Sequence, residues 1–251
     1  MAKQARVLHT YFAMVAIALS VSSAFCQQYG HYEGTVQTEW LPDGRKMRLL
    51  APLSFFDPKG KQWVAPKDWV VDGASIPQPA WSFSGGPFEG KYRDASVIHD
   101  VGCDRKVEPW EEVHEVFYYG MLASGVEPWR AKIMYGAVYH LGPRWPRVVE
   151  VINEDLGPKD RIAAPADVGL KAAPGSTAKV LATAPRIKWS EAGAVAIPSP
   201  SLERVTTVEI QPPAQSLTDA DFEQLKARIE ASSASGGLSL QEIQDFQPTR
   251  R

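Results

Sequence analysis

Short runs of alternating apolar and polar residues, separated by tight turns, dominate the first third of the chain. Three extended segments stand out, residues 34–41, 46–56 and 62–71. The sequences PDG at residues 42–44 and DPKG at residues 57–60 lie between them and are typical of tight turns. The pattern predicts a small antiparallel β-meander, with Pro52 forcing a bulge or an edge position in the second strand.

After residue 91 the apolar residues recur at the helical period. Three helices are predicted, over residues 92–104, 109–124 and 128–141. Pro109 and Pro128 open the second and third helices, because proline is favoured in a first turn, and Gly125 and Gly142 follow their ends. A sheet followed by a cluster of helices, rather than alternating with them, indicates the α+β class. The predicted core domain spans residues 27–156.

Beyond residue 156 the composition changes. Residues 157–215 are rich in Ala and Pro with few large apolar residues, which predicts a linker, although residues 204–210 could form an isolated strand. Residues 216–251 predict a C-terminal helical pair, opened by a capping box at Thr218 and Asp221. An apolar stripe on its first helix needs a partner and makes these helices a candidate protein-binding surface. The stripe consists of Phe222, Leu225 and Ile229.

The N-terminus has the pattern of a signal peptide. Lys3 and Arg6 precede a short apolar run over residues 11–21, and small residues follow it, which predicts cleavage after Ala24 or Cys26. The run is about half the roughly 20 residues of a membrane-spanning helix, so a retained anchor is the weaker alternative. We therefore expect a secreted or periplasmic protein that meets the membrane only through residues 1–26.

Charge and cysteine content narrow the function classes further. The chain has 27 basic and 29 acidic residues, so no basic excess points to nucleic acid as a partner. The two cysteines, Cys26 and Cys103, could pair after export if cleavage follows Ala24, but they cannot provide a disulfide framework.

Candidate chemistry is concentrated between residues 72 and 114. His99 and Asp100 lie on the first predicted helix, His114 lies on the second, and Asp72 lies in the turn before them. Two imidazoles and one or two carboxylates suit a divalent metal such as zinc. The sequence therefore predicts a metal site of Asp72, His99, Asp100 and His114, with His99 and Asp100 as the catalytic pair.

Simpler roles compete with this interpretation. A His-Asp pair on packed helices is often a buried hydrogen-bonded clamp, and Cys103, which shares a helix face with His99, can be a small buried hydrophobe. Ser75 is a candidate nucleophile, but it has no nucleophile elbow around it and follows Asp-Gly as turn and cap residues do. Three glutamates on the second helix are expected to be solvated. They are Glu111, Glu112 and Glu115.

Several short motifs between residues 63 and 145 occur together in this chain. They are residues 71–77 (VDGASIP), Trp81, residues 86–88 (GPF), 91–100 (KYRDASVIHD), 116–118 (VFY) and 129–132 (WRAK), with Met134 and Tyr135. With these motifs, residues 63–145 resemble the bacterial and phage family called domain of unknown function 1353. The resemblance implies domain limits and motif positions, and no reaction.

Two departures from the family pattern affect the candidate site. The family usually continues His-Asp into an aromatic pair, where this chain has Val101-Gly102-Cys103, and it commonly carries Asp where His114 stands. Exchange of Asp for His is compatible with ligand chemistry and equally with a hydrogen-bonded clamp. The His-Asp helix is also similar to that of secreted phospholipases A2, but here Cys103 is one residue further away and their disulfide scaffold is absent.

Two functions follow from the sequence. The first is an exported hydrolase-like domain that uses a metal or the His-Asp pair on cell-envelope material. The second is a non-enzymatic envelope or phage-derived interaction module in which the His-Asp motif is structural. We expect the two to differ in whether the polar side chains surround an open cavity or a filled one.

Overall fold

A computed structural model of the chain describes residues 28–73, 77, 90–152, 172–189, 200–215 and 217–249. The signal-peptide prediction and Cys26 therefore lie outside the described residues. The chain divides into two compact units, one formed by residues 1–143 with 217–251 and the other by residues 144–216. Within the described ranges, no helix is both long and apolar enough to span a membrane.

Six short strands form two antiparallel sheets in the first unit. Their bounds are β1 His31–Glu33, β2 Thr38–Trp40, β3 Met47–Leu49, β4 Leu53–Phe56, β5 Gln62–Ala65 and β6 Val70–Val71. The orders are β1-β4-β5 and β2-β3-β6. Two predicted strands are each split by a proline, because Pro52 separates β3 from β4, and Pro66 with the left-handed residue Asp68 separates β5 from β6. Six strands in two sheets therefore replace the predicted meander.

Three helices follow, and the α+β prediction is confirmed. They are α1 Arg93–Arg105, α2 Trp110–Ala123 and α3 Pro128–Leu141. Pro128 occupies the first turn of α3 and Gly125 follows α2 with a φ of 76°, as the sequence indicates. The apolar faces of the strands and helices meet in one core, where Leu49, Phe55 and Phe117 are fully buried.

A close approach between α1 and α2 depends on Gly102. A Cβ at this position would lie 2.7 Å from Cγ1 of Val113. We expect Gly102→Ala to reduce the free energy of unfolding by about 1–3 kcal/mol, because the added carbon over-packs the interface. Chemical denaturation measures this change, and adding Val113→Ala should restore part of the loss. Unchanged stability of the single variant would show that the helices separate without cost.

The C-terminal helices belong to the first unit. They are α4 Asp219–Ser232 and α5 Leu240–Gln244, joined by a 3-10 turn at Ser233–Ser235. Both have the capping boxes typical of helix starts, including the predicted one at Thr218 and Asp221. The apolar stripe Phe222, Leu225 and Ile229 is completely buried. Its partner is in the same chain, because Leu225 and Ile243 approach Gly136 of α3.

The second unit contains a three-stranded antiparallel sheet of order β7-β9-β8. Its strands are β7 Arg147–Ile152, β8 Thr177–Trp189 and β9 Pro200–Gln211. The predicted linker over residues 157–215 thus contains two long strands, and the strand expected at residues 204–210 is paired on both sides. The many small residues of this segment led to the linker prediction. In the structure one of them, Ala178, packs with Val208 and Ile210 in the unit's own core. The predicted core limit at residue 156 also differs from the observed division after Pro143.

Candidate functional site: a buried histidine pair

His99 and His114 meet between α1 and α2. Nε2 of His99 lies 2.8 Å from Nδ1 of His114. The exposed fractions of the two side chains are 1% and 0%, so neither ring has contact with solvent. The antiparallel return of α2 brings them together, as expected from the short connection between the helices. The two predicted imidazoles therefore share one polar spot inside the core.

The direction of the hydrogen bonds follows from the far side of the pair. Nε2 of His114 lies 3.1 Å from the carbonyl oxygen of Pro143, and a carbonyl can only accept. His114 must therefore carry its proton on Nε2, which leaves Nδ1 as an acceptor when the ring is neutral. His99 then donates from Nε2, and its Nδ1 remains unprotonated. The result is two hydrogen bonds in series. His99 donates to His114, and His114 donates to the carbonyl of Pro143.

The surroundings keep His99 neutral. Burial lowers the pKa of His99 from its usual 6.5 to about 3, because a charged imidazolium would lose its hydration. Aromatic rings enclose the pair: the ring centroid of Phe117 lies 4.8 Å from that of His99, and the ring centroid of Trp110 lies 5.5 Å from that of His114. A base with so low a pKa is poorly matched to proton abstraction near neutral pH.

Cys103 completes a group that could hold a metal ion. One ligand atom from each of His99, Cys103 and His114 lies within 4.8 Å of the others, and all three residues are buried. The hydrogen bond from His114 to Pro143 is also the kind that orients a metal-binding imidazole. This ligand set differs from the predicted one, because a thiol takes the place of the two carboxylates.

The distances fit a hydrogen-bonded pair better than a zinc centre. Zinc bonds of about 2.0–2.1 Å to nitrogen at tetrahedral angles would hold two imidazole nitrogens about 3.3 Å apart, against the observed 2.8 Å. Sγ of Cys103 lies 3.7 Å from Nε2 and 3.9 Å from Nδ1 of His99. The sulfur is thus almost equally far from the two ring nitrogens. Metal binding would require at least that the two imidazole nitrogens move apart.

Asp100 points to a different element. Its Oδ2 accepts a 2.6 Å hydrogen bond from the backbone N–H of Gly73, and its side chain is buried. Consecutive helix residues point about 100° apart, so the carboxylate leaves α1 in another direction from the imidazole of His99. Asp100 thus fixes the turn that follows β6. The sequence predicted Asp100 as a metal ligand beside His99 and His114, but in the structure its carboxylate binds the N–H of Gly73.

Asp72 lies outside the cluster as well. Its side chain is 39% exposed, and Oδ2 lies 3.8 Å from Nη2 of Arg45. Among the described residues the potential metal-binding group contains neither Asp72 nor Asp100. The N–H of Gly73 binds the buried carboxylate of Asp100, whereas the carboxylate of the preceding residue, Asp72, remains near the surface. Ser75, the predicted nucleophile, lies outside the described residues.

The acidic face of α2 is less solvated than the sequence predicts. Oε2 of Glu112 lies 2.8 Å from Nζ of Lys61, and Oε2 of Glu115 lies 3.1 Å from Nζ of Lys59. These ion pairs tie α2 to the turn and strand around β5. Sequence reasoning also missed the carbonyl of Pro143 as an acceptor, since no residue pattern reports the position of a main-chain oxygen.

Comparison with known proteins adds two relatives and no activity. The chain is 52% identical over 106 residues to the uncharacterized protein y4jT of Sinorhizobium fredii, covering 42% of this chain and 32% of the relative. It is 42% identical over 141 residues to the uncharacterized protein y4iH of the same organism, covering 53% and 59%. The chain thus spans less than two thirds of either relative. No solved structure matches it significantly.

The family comparison covers the part of the chain that holds the histidine pair. The matched segment begins in β3 and ends in α3, so it includes His99, Asp100, Cys103 and His114. It leaves out β7 to β9 and both C-terminal helices. Residues 47–138 match the model of the family described as "Protein of unknown function (DUF1353)", which confirms the resemblance seen in the sequence.

Proposed function

We propose that this chain carries a non-enzymatic module of the cell envelope, in which the His99–His114 pair is a structural clamp between α1 and α2. The observation that carries the proposal is a pair of hydrogen bonds, from His99 to His114 and from His114 to the carbonyl of Pro143, between residues that are buried. Buried polar groups that are fully paired stabilise one arrangement of their elements.

A hydrolytic role is less well supported. Catalysis by His99 needs a substrate or water within reach, but the residue is 1% exposed and the ring of Phe117 packs against it. The envelope location rests on the N-terminal pattern of the sequence. Fractionation of cells that express the full chain tests that part independently.

Stability and metal content together test the clamp. We expect His99→Ala to reduce the free energy of unfolding by at least about 1–3 kcal/mol, because the acceptor nitrogen of His114 is left buried without its donor. Arg105→Ala, on the exposed end of the same helix, serves as control and should stay within about 0.5 kcal/mol of the parent. The purified protein should melt at the same temperature with and without chelator.

A metal centre at His99, Cys103 and His114 is the second candidate, favoured by the 4.8 Å grouping of their ligand atoms. The protein loaded with Co²⁺ distinguishes the two. A thiolate-to-cobalt absorption band that disappears in Cys103→Ser, together with a melting temperature lowered by chelator, would replace the clamp by a metal site. The clamp predicts neither the band nor the chelator effect.

A further inference from the structure

A polar cleft of about 360 Å³ lies beside the start of α1, and its lining includes neither His99 nor His114. It is lined by the following residues: Tyr32, Gly90, Lys91, Arg93, Asp94, Ala123 and Ser124. Lys91 and Arg93 are exposed and cationic, and Asp94 is half-buried. The cleft thus combines two cations, two hydroxyls and one carboxylate around a single space.

Two hydroxyl groups of this cleft have hydrogen-bonding capacity to spare. Tyr32 Oη and Ser124 Oγ are both buried and interact with each other, and within the described part of the chain neither has a further partner at hydrogen-bonding geometry. A Cβ on Gly120 would lie 2.5 Å from Tyr32 Oη, so the absence of a side chain there lets the phenol reach this position. A ligand that accepts from these hydroxyls would use hydrogen-bonding capacity that their mutual contact leaves over.

The start of α1 contributes main-chain donors to the cleft. Helix α1 begins at Arg93, and no side chain caps its first turn. Its N-terminal amide groups and the helix dipole favour an anion at this end. Nζ of Lys91 donates a 3.1 Å hydrogen bond to the carbonyl of Gly125, so its positive charge also offsets the negative C-terminal end of α2. An anionic group can therefore meet the amide groups at the start of α1 together with two cationic side chains.

We propose that this cleft binds a phosphate group that retains a proton, with Lys91, Arg93, Tyr32 and Ser124 as donors and Asp94 as the acceptor. Asp94 determines the choice of anion. A carboxylate repels an anion that has no proton to share, but it accepts a strong hydrogen bond from a protonated phosphate oxygen. Near neutral pH inorganic phosphate carries at least one proton, whereas sulfate carries none. The cleft should therefore select phosphate over sulfate.

Titration of the full chain with inorganic phosphate and with sulfate tests this site. Binding is observed through the backbone amide signals of Lys91 to Ala95 in nuclear magnetic resonance spectra. We expect saturable phosphate binding that shifts these signals, and sulfate binding at least about tenfold weaker. Asp94→Asn should remove the preference between the two anions. The double variant Lys91→Gln with Arg93→Gln should weaken phosphate binding by at least about tenfold. Lys46→Gln, an exposed lysine outside the cleft, is the matched control and should bind like the parent.

Each of the following results would overturn the proposal. They are no saturable shift with phosphate, equal affinity for sulfate in the parent protein, and an equal loss of affinity in Lys46→Gln. Tyr32→Phe keeps the ring and removes only the hydroxyl, so it provides a variant whose folding should be undisturbed. It should weaken phosphate binding, and unchanged affinity in this variant would also count against the site. None of these outcomes depends on the histidine pair.

Discussion

Deletion of residues 217–251 is expected to abolish cooperative unfolding of the first unit. The C-terminal helices provide six buried apolar side chains, and loss of the segment would uncover the face of α3 that they contact. These side chains are Phe222, Leu225, Ile229, Leu238, Ile243 and Phe246. Burial of a large apolar side chain contributes about 1.5–3 kcal/mol, so the segment contributes on the order of 10 kcal/mol. A whole domain has only about 5–15 kcal/mol of net stability.

Polar contacts join the same interface and would be lost with it. Nε2 of His140 lies 2.7 Å from the carbonyl oxygen of Ile243, and Nε2 of Gln244 donates a 2.8 Å hydrogen bond to the hydroxyl of Tyr135. Truncation would therefore leave polar groups of α3 without partners as well as exposing apolar surface. The sequence alone makes the stripe a candidate protein-binding surface, whereas in the structure the same chain buries it.

Thermal denaturation followed by circular dichroism measures the effect, and a point variant provides a milder version. Leu225→Ala should reduce the free energy of unfolding by about 2–5 kcal/mol, because it opens a cavity against Gly136. Glu230→Ala, on the exposed face of the same helix, is the control and should stay within about 0.5 kcal/mol. A truncated chain that melts cooperatively near the parent temperature would show that the helices are an appendage. They would then be available to a partner, as the sequence suggests.

The second large effect is loss of stability in acid, to which His99 contributes. The unfolded chain takes up a proton at His99 below about pH 6.5, but the folded chain does so only near pH 3. Between these values the unfolded state binds more protons, so the free energy of unfolding falls as the pH falls. The contribution of His99 is complete above pH 6.5. It decreases by at most about 1.4 kcal/mol for each pH unit below that.

His99→Gln isolates this contribution from that of the carboxylates. Glutamine keeps an N–H donor for His114 and does not titrate, while every other group stays in place. Urea denaturation at several pH values should show the parent protein more stable at pH 7 and the two proteins converging as the pH approaches 4. A constant difference between the two over this range would mean that His99 is charged, or reaches solvent, in the folded state.

The sequence predicted most of the helices and several strands, but fewer of the pairings between strands. The bounds of α1 to α3 followed from Pro109, Pro128 and the glycines, which act locally and therefore leave a signal in the residues themselves. The pairing of β7, β8 and β9 joins residues that are distant in sequence, and β8 carries many small residues that gave no alternating apolar pattern. Long-range pairing of this kind has no local signature.

The candidate site was predicted in part. His99 and His114 meet as the helix hairpin requires, and Cys103 lies next to His99 as its spacing of four residues indicates. The directions of Asp72 and Asp100 were not predictable, because they depend on contacts with residues that are distant in sequence. The N–H of Gly73 is a partner of Asp100, and Arg45 lies beside Asp72.

The protonation state of His99 tests the central idea most directly. Nuclear magnetic resonance of the imidazole nitrogens, recorded between pH 8 and pH 4.5 with and without added zinc, reports both the charge and the tautomer. A clamp predicts a neutral ring with its proton on Nε2 throughout, unchanged by zinc. An ordinary titration near pH 6.5, or loss of the Nε2 proton when zinc is added, would contradict a structural pair and point to a catalytic or metal-binding centre.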